Sequence, residues 1–133
     1  MIQYLVVHCS ASPQGRGDTA STIHRWHLER GFDGIGYHRV VLEDGTVEFG
    51  RPDYWTGAHV KGYNTGSLGV CLIGEGGDAT EAQIKALSEV LTVWKIDHPQ
   101  AVIVGHNDLD SGKNCPCFDV KLWWTEFVGG LDG

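Results

Sequence analysis

The sequence lacks several features that mark common classes of protein. Its 133 residues contain no run of 18 apolar residues, which argues against a membrane-spanning helix. Basic residues are few, since 10 Lys and Arg stand against 17 Asp and Glu and give a net charge of −7. This acidity argues against a protein that follows nucleic-acid phosphates, so we expect neither a nucleic-acid nor a membrane partner. No basic segment followed by a long apolar stretch opens the sequence, so we expect cytoplasmic synthesis without an export signal.

Cysteine is also scarce, and four residues make a poor disulfide framework for a chain of this length. Cys9 and Cys71 lie in or beside apolar segments, which favours reduced and partly buried thiols. The glycine-rich stretch 74–77 lacks the Lys-Ser/Thr of a phosphate-binding loop and the spacing of a dinucleotide fingerprint, so we interpret it as a surface loop. No repeat or interdomain linker is visible, and the length suits a single core.

Apolar patterns predict strands alternating with helices. The predicted strands are 2–7, 37–42, 46–50, 68–73 and 101–104, with an Asp-Gly turn at 44–45 joining the second and third as a hairpin. Helices are predicted from Thr19–Thr22 to Gly31, after a capping box at Thr80–Gln83, and after Asp119. The pattern indicates an α/β fold, one domain with a mixed central sheet flanked by helices. We place this domain at 1–128 and expect 129–133 to be a frayed tail.

Three residues carry donors suited to an open zinc site, namely His8, His106 and Cys115. Two imidazoles and one thiolate are good zinc ligands, and three protein ligands leave a fourth position for water or substrate. Each histidine follows an apolar run, and ligands in α/β sheets gather at the carboxyl ends of strands. The spacing between His106 and Cys115 matches no zinc finger or ribbon, so local spacing alone does not establish the site.

The segment 55–64 combines flat aromatic faces with hydrogen-bonding tips, as Trp55, His59, Tyr63 and Asn64. Such groups suit the recognition of sugars and peptides. The simpler interpretation is a loop whose aromatic residues cover the core, and composition alone favours it.

Three further histidines are predicted to be structural. His38 follows Tyr37 directly, and adjacent strand positions point to opposite faces, so we expect His38 to bond to backbone in the core. His24 and His27 are three residues apart on a predicted helix, a spacing that can bind metal. Without a third donor nearby in sequence, a surface or packing role is favoured.

Taken together and in order, these sequence phrases resemble the type 2 N-acetylmuramoyl-L-alanine amidases. This zinc-dependent family includes small phage enzymes historically called lysozymes and the animal peptidoglycan recognition proteins. The resemblance spans the domain, from near the first residue to Trp124. The matching phrases are 7–11, 23–27, 36–38, 44–48, 50–51, 57–64, 67–72, 105–106 and 113–119.

The resemblance implies a phage or prophage endolysin that cuts the amide between N-acetylmuramic acid and L-alanine in peptidoglycan after its release to the cell wall. The implied metal ligands for one catalytic zinc are His8, His106 and Cys115, the implied catalytic residues are Tyr37 and Lys113, and the expected substrate contacts are His59, Asn64 and Trp55. In this scheme Lys113 and the Tyr37 hydroxyl hold the tetrahedral oxyanion.

The chain departs from the family pattern at Cys117 and in the segment from His106 to Cys115, which is one residue longer than in the small phage members. At Cys71 it resembles those phage members in having no carboxylate. Cys71 stands where some members carry a glutamate, which leaves Tyr37, the zinc site itself or a water relay as the proton acceptor, and we rank Tyr37 first. Cys117 stands where relatives carry a small or hydroxyl residue. It is a spare ligand, a redox partner for Cys115 or a small buried side chain, and the last interpretation is favoured.

Two other functions compete with catalysis. A module that binds muropeptides without cutting them is expected to lose the thiolate ligand or the tyrosine, whereas this chain keeps Cys115, Tyr37 and Lys113. The resemblance also allows a second role in binding a phage RNA polymerase through a surface outside the cleft. We expect a monomer, since no segment of the sequence indicates a dimer face.

Overall fold

The computed structural model describes residues 1–132, with side chains described up to residue 130. Within that range the chain forms five strands and four helices. The strands are β1 (Tyr4–Cys9), β2 (Arg39–Val41), β3 (Val47–Phe49), β4 (Ser67–Leu72) and β5 (Val102–Gly105). The helices are α1 (Ala20–Glu29), α2 (Glu81–Asp97), α3 (His106–Leu109) and α4 (Val120–Asp132). No helix among these residues is long and apolar enough to cross a bilayer.

The strands form one mixed sheet in the order β3-β2-β4-β1-β5. Strand β1 pairs in parallel with β4 on one side and with β5 on the other, and β2 adds in parallel beyond β4. Strand β3 is the antiparallel edge strand, joined to β2 through the predicted hairpin at 44–45. The register places His8 of β1 opposite Cys71 of β4. Strand β1 therefore carries its histidine beside the position where some members of the family have a glutamate.

Side chains that alternate along the sheet divide the interior into two layers. Leu5 and Val7 of β1 belong to the largest core cluster, which α2 and α4 cover on one face. Val6 and His8 point to the opposite face because strand residues alternate in direction. There α1 contributes Ile23 to a smaller cluster. Helices thus flank both faces, which confirms the predicted α/β architecture, and the face that α1 covers holds the candidate site.

Two helices begin at the predicted caps. Thr80 accepts a hydrogen bond from the Gln83 N–H at 3.1 Å, and the Gln83 side chain accepts one from the Thr80 N–H at 3.0 Å, so the capping box of α2 is confirmed. The Asp119 carboxylate accepts a hydrogen bond from the Leu122 N–H at 3.1 Å just before α4. These bonds satisfy N–H groups that the first turn of a helix leaves without a partner.

The carboxyl end of β1, which carries His8, differs from the prediction. Strand β1 ends at Cys9 rather than at residue 7, so His8 is a strand residue and does not follow the strand. The ladder continues because β4 runs on to Leu72, whose carbonyl also accepts the Ser10 N–H at 2.9 Å. Helix α3, which begins at His106, was not predicted, since a single turn leaves no periodic apolar pattern.

Helix α4 continues through the stretch predicted to be a frayed tail, as far as Asp132. Stacking of Trp123 on Phe127, with ring centroids 6.2 Å apart, supports the preceding turns. Each of the two helical glycines costs only about 1 kcal/mol relative to alanine, too little to end the helix. Gly133 lies outside the described residues, and the boundary of the catalytic domain at 128 stays a prediction.

Candidate metal centre and active site

Three donor side chains from distant parts of the chain meet at one end of the sheet. His8 comes from β1, His106 is the first residue of α3, and Cys115 lies in the loop between α3 and α4. One ligand atom from each lies within 4.8 Å of the other two. The two Nδ1 atoms of His8 and His106 are 3.1 Å apart. The structure therefore brings together the three residues that the sequence predicted as metal ligands.

The arrangement fits a tetrahedral ion. Zinc–nitrogen bonds of about 2.05 Å at tetrahedral angles place two nitrogen ligands about 3.3 Å apart, close to the separation of the two Nδ1 atoms. Burial lowers the pKa of His8 well below its usual 6.5, and the nearby His59 and His106 lower it further. Burial also lowers the pKa of His106, with Asp110 acting against this and Lys113 adding to it. Both imidazoles are neutral at neutral pH, as metal ligands must be.

The sulfur of Cys115 has a defined partner on β1. The Cys9 N–H donates to the Cys115 sulfur at 2.9 Å. Contact with the Cys9 thiol and burial raise the pKa of Cys115, whereas the Cys9 N–H lowers it. A bound cation would also lower the pKa of Cys115, because it stabilises the thiolate as that N–H does. Cys117 is exposed with a φ of 68°, so its predicted burial is wrong.

Tyr37 lies beside His8, with the ring centroids 5.0 Å apart. Burial raises the pKa of Tyr37 well above its usual 10, and the adjacent thiols, first that of Cys71, add to the effect. A phenol that is protonated at neutral pH can donate a hydrogen bond, as the predicted oxyanion role requires. Lys113 is exposed in the loop that joins His106 to Cys115, close enough for its charge to act on His106.

His59 and Asn64, predicted as substrate contacts, have partners within the protein. The His59 Nδ1 lies 2.8 Å from the His8 Nε2, and the His59 Nε2 lies 3.2 Å from the Ser67 hydroxyl. The Asn64 side-chain oxygen accepts the N–H groups of His59 and Val60, each at 2.8 Å. Burial lowers the pKa of His59 to about 3, and His38, His106 and Arg51 lower it further. These contacts hold the loop, and substrate contact by either side chain stays a prediction.

Trp55 lines a cleft of about 520 Å³ on the α1 side of the molecule. Its side chain is 57% exposed, so it does not cover the core. The walls come from the start of α1, the loop before β2 and the end of β3. A substrate contact by Trp55 stays a prediction. Sequence reasoning gave no signal for the shape of this cleft.

The other histidines have structural partners. His38 is fully buried, receives the Gly69 N–H at 3.1 Å and lies 2.8 Å from the Trp55 carbonyl, which confirms its predicted bonding to backbone. His24 and His27 of α1 accept the N–H groups of residues 35 and 36 at 3.0 and 2.9 Å. Their helical spacing thus fixes the loop that leads to Tyr37, and the packing role is confirmed.

The mixed α/β sheet thus brings two imidazoles and a thiol close enough to hold one metal ion between them. The chain belongs to the N-acetylmuramoyl-L-alanine amidase family, whose model matches residues 1–118.

Known proteins agree with this assignment. The chain is 43% identical over 130 residues to the endolysin of Klebsiella phage KP32 and 39% identical over 129 residues to the endolysin of Escherichia phage T7. Each alignment covers 92% of this chain and 85% of the relative. Among solved structures, the N-acetylmuramoyl-L-alanine amidase LysC of Clostridium intestinale matches with a TM-score of 0.84 at 25% identity, over 98% of this chain and 85% of that one. The resemblance seen in the sequence phrases is confirmed.

Proposed function

We propose that this chain hydrolyses the amide between N-acetylmuramic acid and L-alanine with one zinc ion held by His8, His106 and Cys115. As a member of the amidase family that shares about 40% identity with phage endolysins, it is a peptidoglycan amidase of the endolysin type. The observation that carries the zinc proposal is the convergence of the three donors within 4.8 Å. When bound there, zinc would polarise the scissile carbonyl and lower the pKa of a water toward about 7.

The chain's own residues supply the remaining chemistry. The Tyr37 phenol, whose ring centroid lies 5.0 Å from that of His8, would donate to the oxyanion that forms when the carbonyl is attacked. Lys113 contributes a positive charge from the loop between two ligands. Loss of one such donor typically slows turnover about 100- to 1000-fold.

The substrate contacts are assigned on position. The exposed Trp55 offers an apolar face for a sugar or stem peptide, while His59 and Asn64 lie in the loop that passes the metal ligands. A binding module without activity is the competing function, and the clustering of Tyr37 and Cys115 around one site favours the enzyme. We further propose cytoplasmic synthesis, action on the cell wall after release, and a monomer. A contact with RNA polymerase stays a prediction from the resemblance.

Mass spectrometry of peptidoglycan digests tests the proposal. We expect the metal-loaded chain to release peptides with a free L-alanine amine and leave the glycan uncut, and chelation or Cys115→Ser to abolish this release. Cys117→Ser is the matched control, since it removes an exposed thiol two positions away and should leave activity intact. Cleavage between sugars would overturn the assigned bond. Full activity of Cys115→Ser, or of the chelated chain, would overturn the zinc site.

A further inference from the structure

A line of hydrogen bonds runs from the metal site into the loop before β4. It joins the rings of His8 and His59 to the Ser67 hydroxyl and ends at the Tyr63 carbonyl, and we call it the His8–His59–Ser67 chain. The three distances are 2.8, 3.2 and 2.6 Å. His8 and Ser67 are 1% and 2% exposed, so water does not compete freely for these bonds. The Tyr63 carbonyl at the end of this series of hydrogen bonds determines which atom donates in each of them.

A carbonyl oxygen can only accept, so the Ser67 hydroxyl must donate its one proton to the Tyr63 carbonyl. Ser67 is then an acceptor for His59, and the His59 Nε2 carries the hydrogen. In a neutral imidazole the other nitrogen has no hydrogen, so the His59 Nδ1 accepts from the His8 Nε2–H. The neutral His8 ring is left with a lone pair on Nδ1, the atom that faces the Nδ1 of His106.

The backbone around this chain leaves the rings little room to move. A Cβ added to Gly69 of β4 would lie 2.7–2.9 Å from three atoms of the His59 ring. A Cβ added to Gly57 would lie 2.6 Å from the other edge of that ring. The Asn64 side-chain oxygen accepts the backbone N–H of His59 at 2.8 Å and so holds the backbone from which the ring projects. His59 is therefore clamped between two glycines and one asparagine, in the orientation the hydrogen bonds require.

We propose that Ser67 and His59 are positioning residues that select the tautomer of His8, presenting its Nδ1 to the metal. This inference rests on the proposed zinc centre and assigns to His59 a role inside the protein. A ligating imidazole generally donates its second N–H to an outer partner, and removal of that partner typically weakens metal binding about 10- to 100-fold. Here the partner is another imidazole, whose own tautomer is set by a buried serine.

Zinc affinity, measured by competition with a chelating dye, tests whether the His8–His59–Ser67 chain of hydrogen bonds positions His8. We expect Ser67→Ala and His59→Leu to bind zinc about 10-fold more weakly or worse. His59→Asn should bind close to the wild type, because its amide oxygen takes the place of Nδ1 as acceptor. Ser88→Ala is the matched control, since that hydroxyl also donates to a backbone carbonyl, that of Lys85 at 2.6 Å, from a buried position in α2.

Two spectroscopic readings separate positioning from loss of fold. Proton–nitrogen correlation spectra of the 14.5 kDa wild type should show His59 protonated on Nε2 and His8 on Nε2. Cobalt substituted for zinc should give a visible spectrum that changes in Ser67→Ala and stays unchanged in Ser88→Ala. A wild-type His59 protonated on Nδ1 would overturn the inference, as would wild-type zinc affinity in Ser67→Ala. A wild type that binds no zinc would overturn the metal centre and this inference with it.

Discussion

Replacing Gly69 by alanine tests how tightly β4 controls the metal site. The added Cβ would lie 2.7 Å from the His59 Nδ1, whereas ordinary contacts begin near 3.4 Å. Neither neighbour yields easily, because the obstacle is an aromatic ring and Gly69 is in the middle of a central strand. The ring must therefore retreat by about 0.7 Å or the strand must move. A retreat of that size, if directed away from His8, takes the 2.8 Å bond between His8 and His59 to about 3.5 Å, beyond a useful hydrogen bond.

We expect two separate consequences of Gly69→Ala. Overpacking of a buried site costs about 1–3 kcal/mol in the free energy of unfolding, which urea titration in the presence of chelator measures. Loss of the outer hydrogen bond weakens zinc binding about 10-fold or more, which competition with a chelating dye measures. Gly129→Ala serves as the control, because a Cβ there meets no atom within 4 Å and alanine favours the helix. Wild-type stability together with wild-type zinc affinity in Gly69→Ala would refute the steric reasoning.

Three further predictions concern other parts of the molecule. Tyr37→Phe should lower kcat about 100-fold and leave zinc affinity unchanged, because it removes a hydrogen-bond donor and no ligand. A comparable fall in zinc affinity would mean that Tyr37 supports the metal ligands instead. Asp53→Ala should lower the free energy of unfolding, measured by urea titration, by about 1–3 kcal/mol, because Arg39 loses a bidentate partner and the Trp94 indole loses an acceptor. The control is Glu29→Gln, which changes an exposed ion pair and should cost less than about 0.5 kcal/mol. Burial lowers the pKa of His27 from 6.5 to about 4, so the unfolded chain binds the extra proton first as the pH falls. The contribution of His27 to stability is thus complete above pH 6.5 and is lost toward pH 4, and His27→Asn, which keeps an acceptor, should flatten this part of the stability profile; an unchanged profile would exclude His27 as its source.

The parts of the fold that follow local patterns were predictable from the sequence. The capping box at Thr80 and the Asp-Gly turn are local arrangements of side chains and backbone, and both are confirmed. The end of β1 depends on a partner strand about 60 residues away, so periodicity alone placed it too early. Helix α3 is a single turn after His106, too short for any apolar period.

The convergence of the three donors was predictable because donor chemistry and family resemblance agree on the same three residues. The bonding of His59 was not, since only the folded sheet brings its ring over Gly69 and beside His8. The exposure of Cys117 likewise depends on a left-handed backbone conformation in the loop, which residue type does not reveal. Residue types thus predicted the donors, whereas the hydrogen bonds around them depend on the folded structure.

The topology of the sheet has a consequence for the order of folding. Strand β1 lies between β4 and β5, and both of these partners come from much later in the chain, so its contacts form only after long loops have closed. Such topologies fold slowly compared with helical bundles. The ligands at positions 8, 106 and 115 meet only once this assembly is complete, and a cation that binds them stabilises the native state alone. The rate of metal uptake during refolding would therefore report the rate at which the whole sheet assembles.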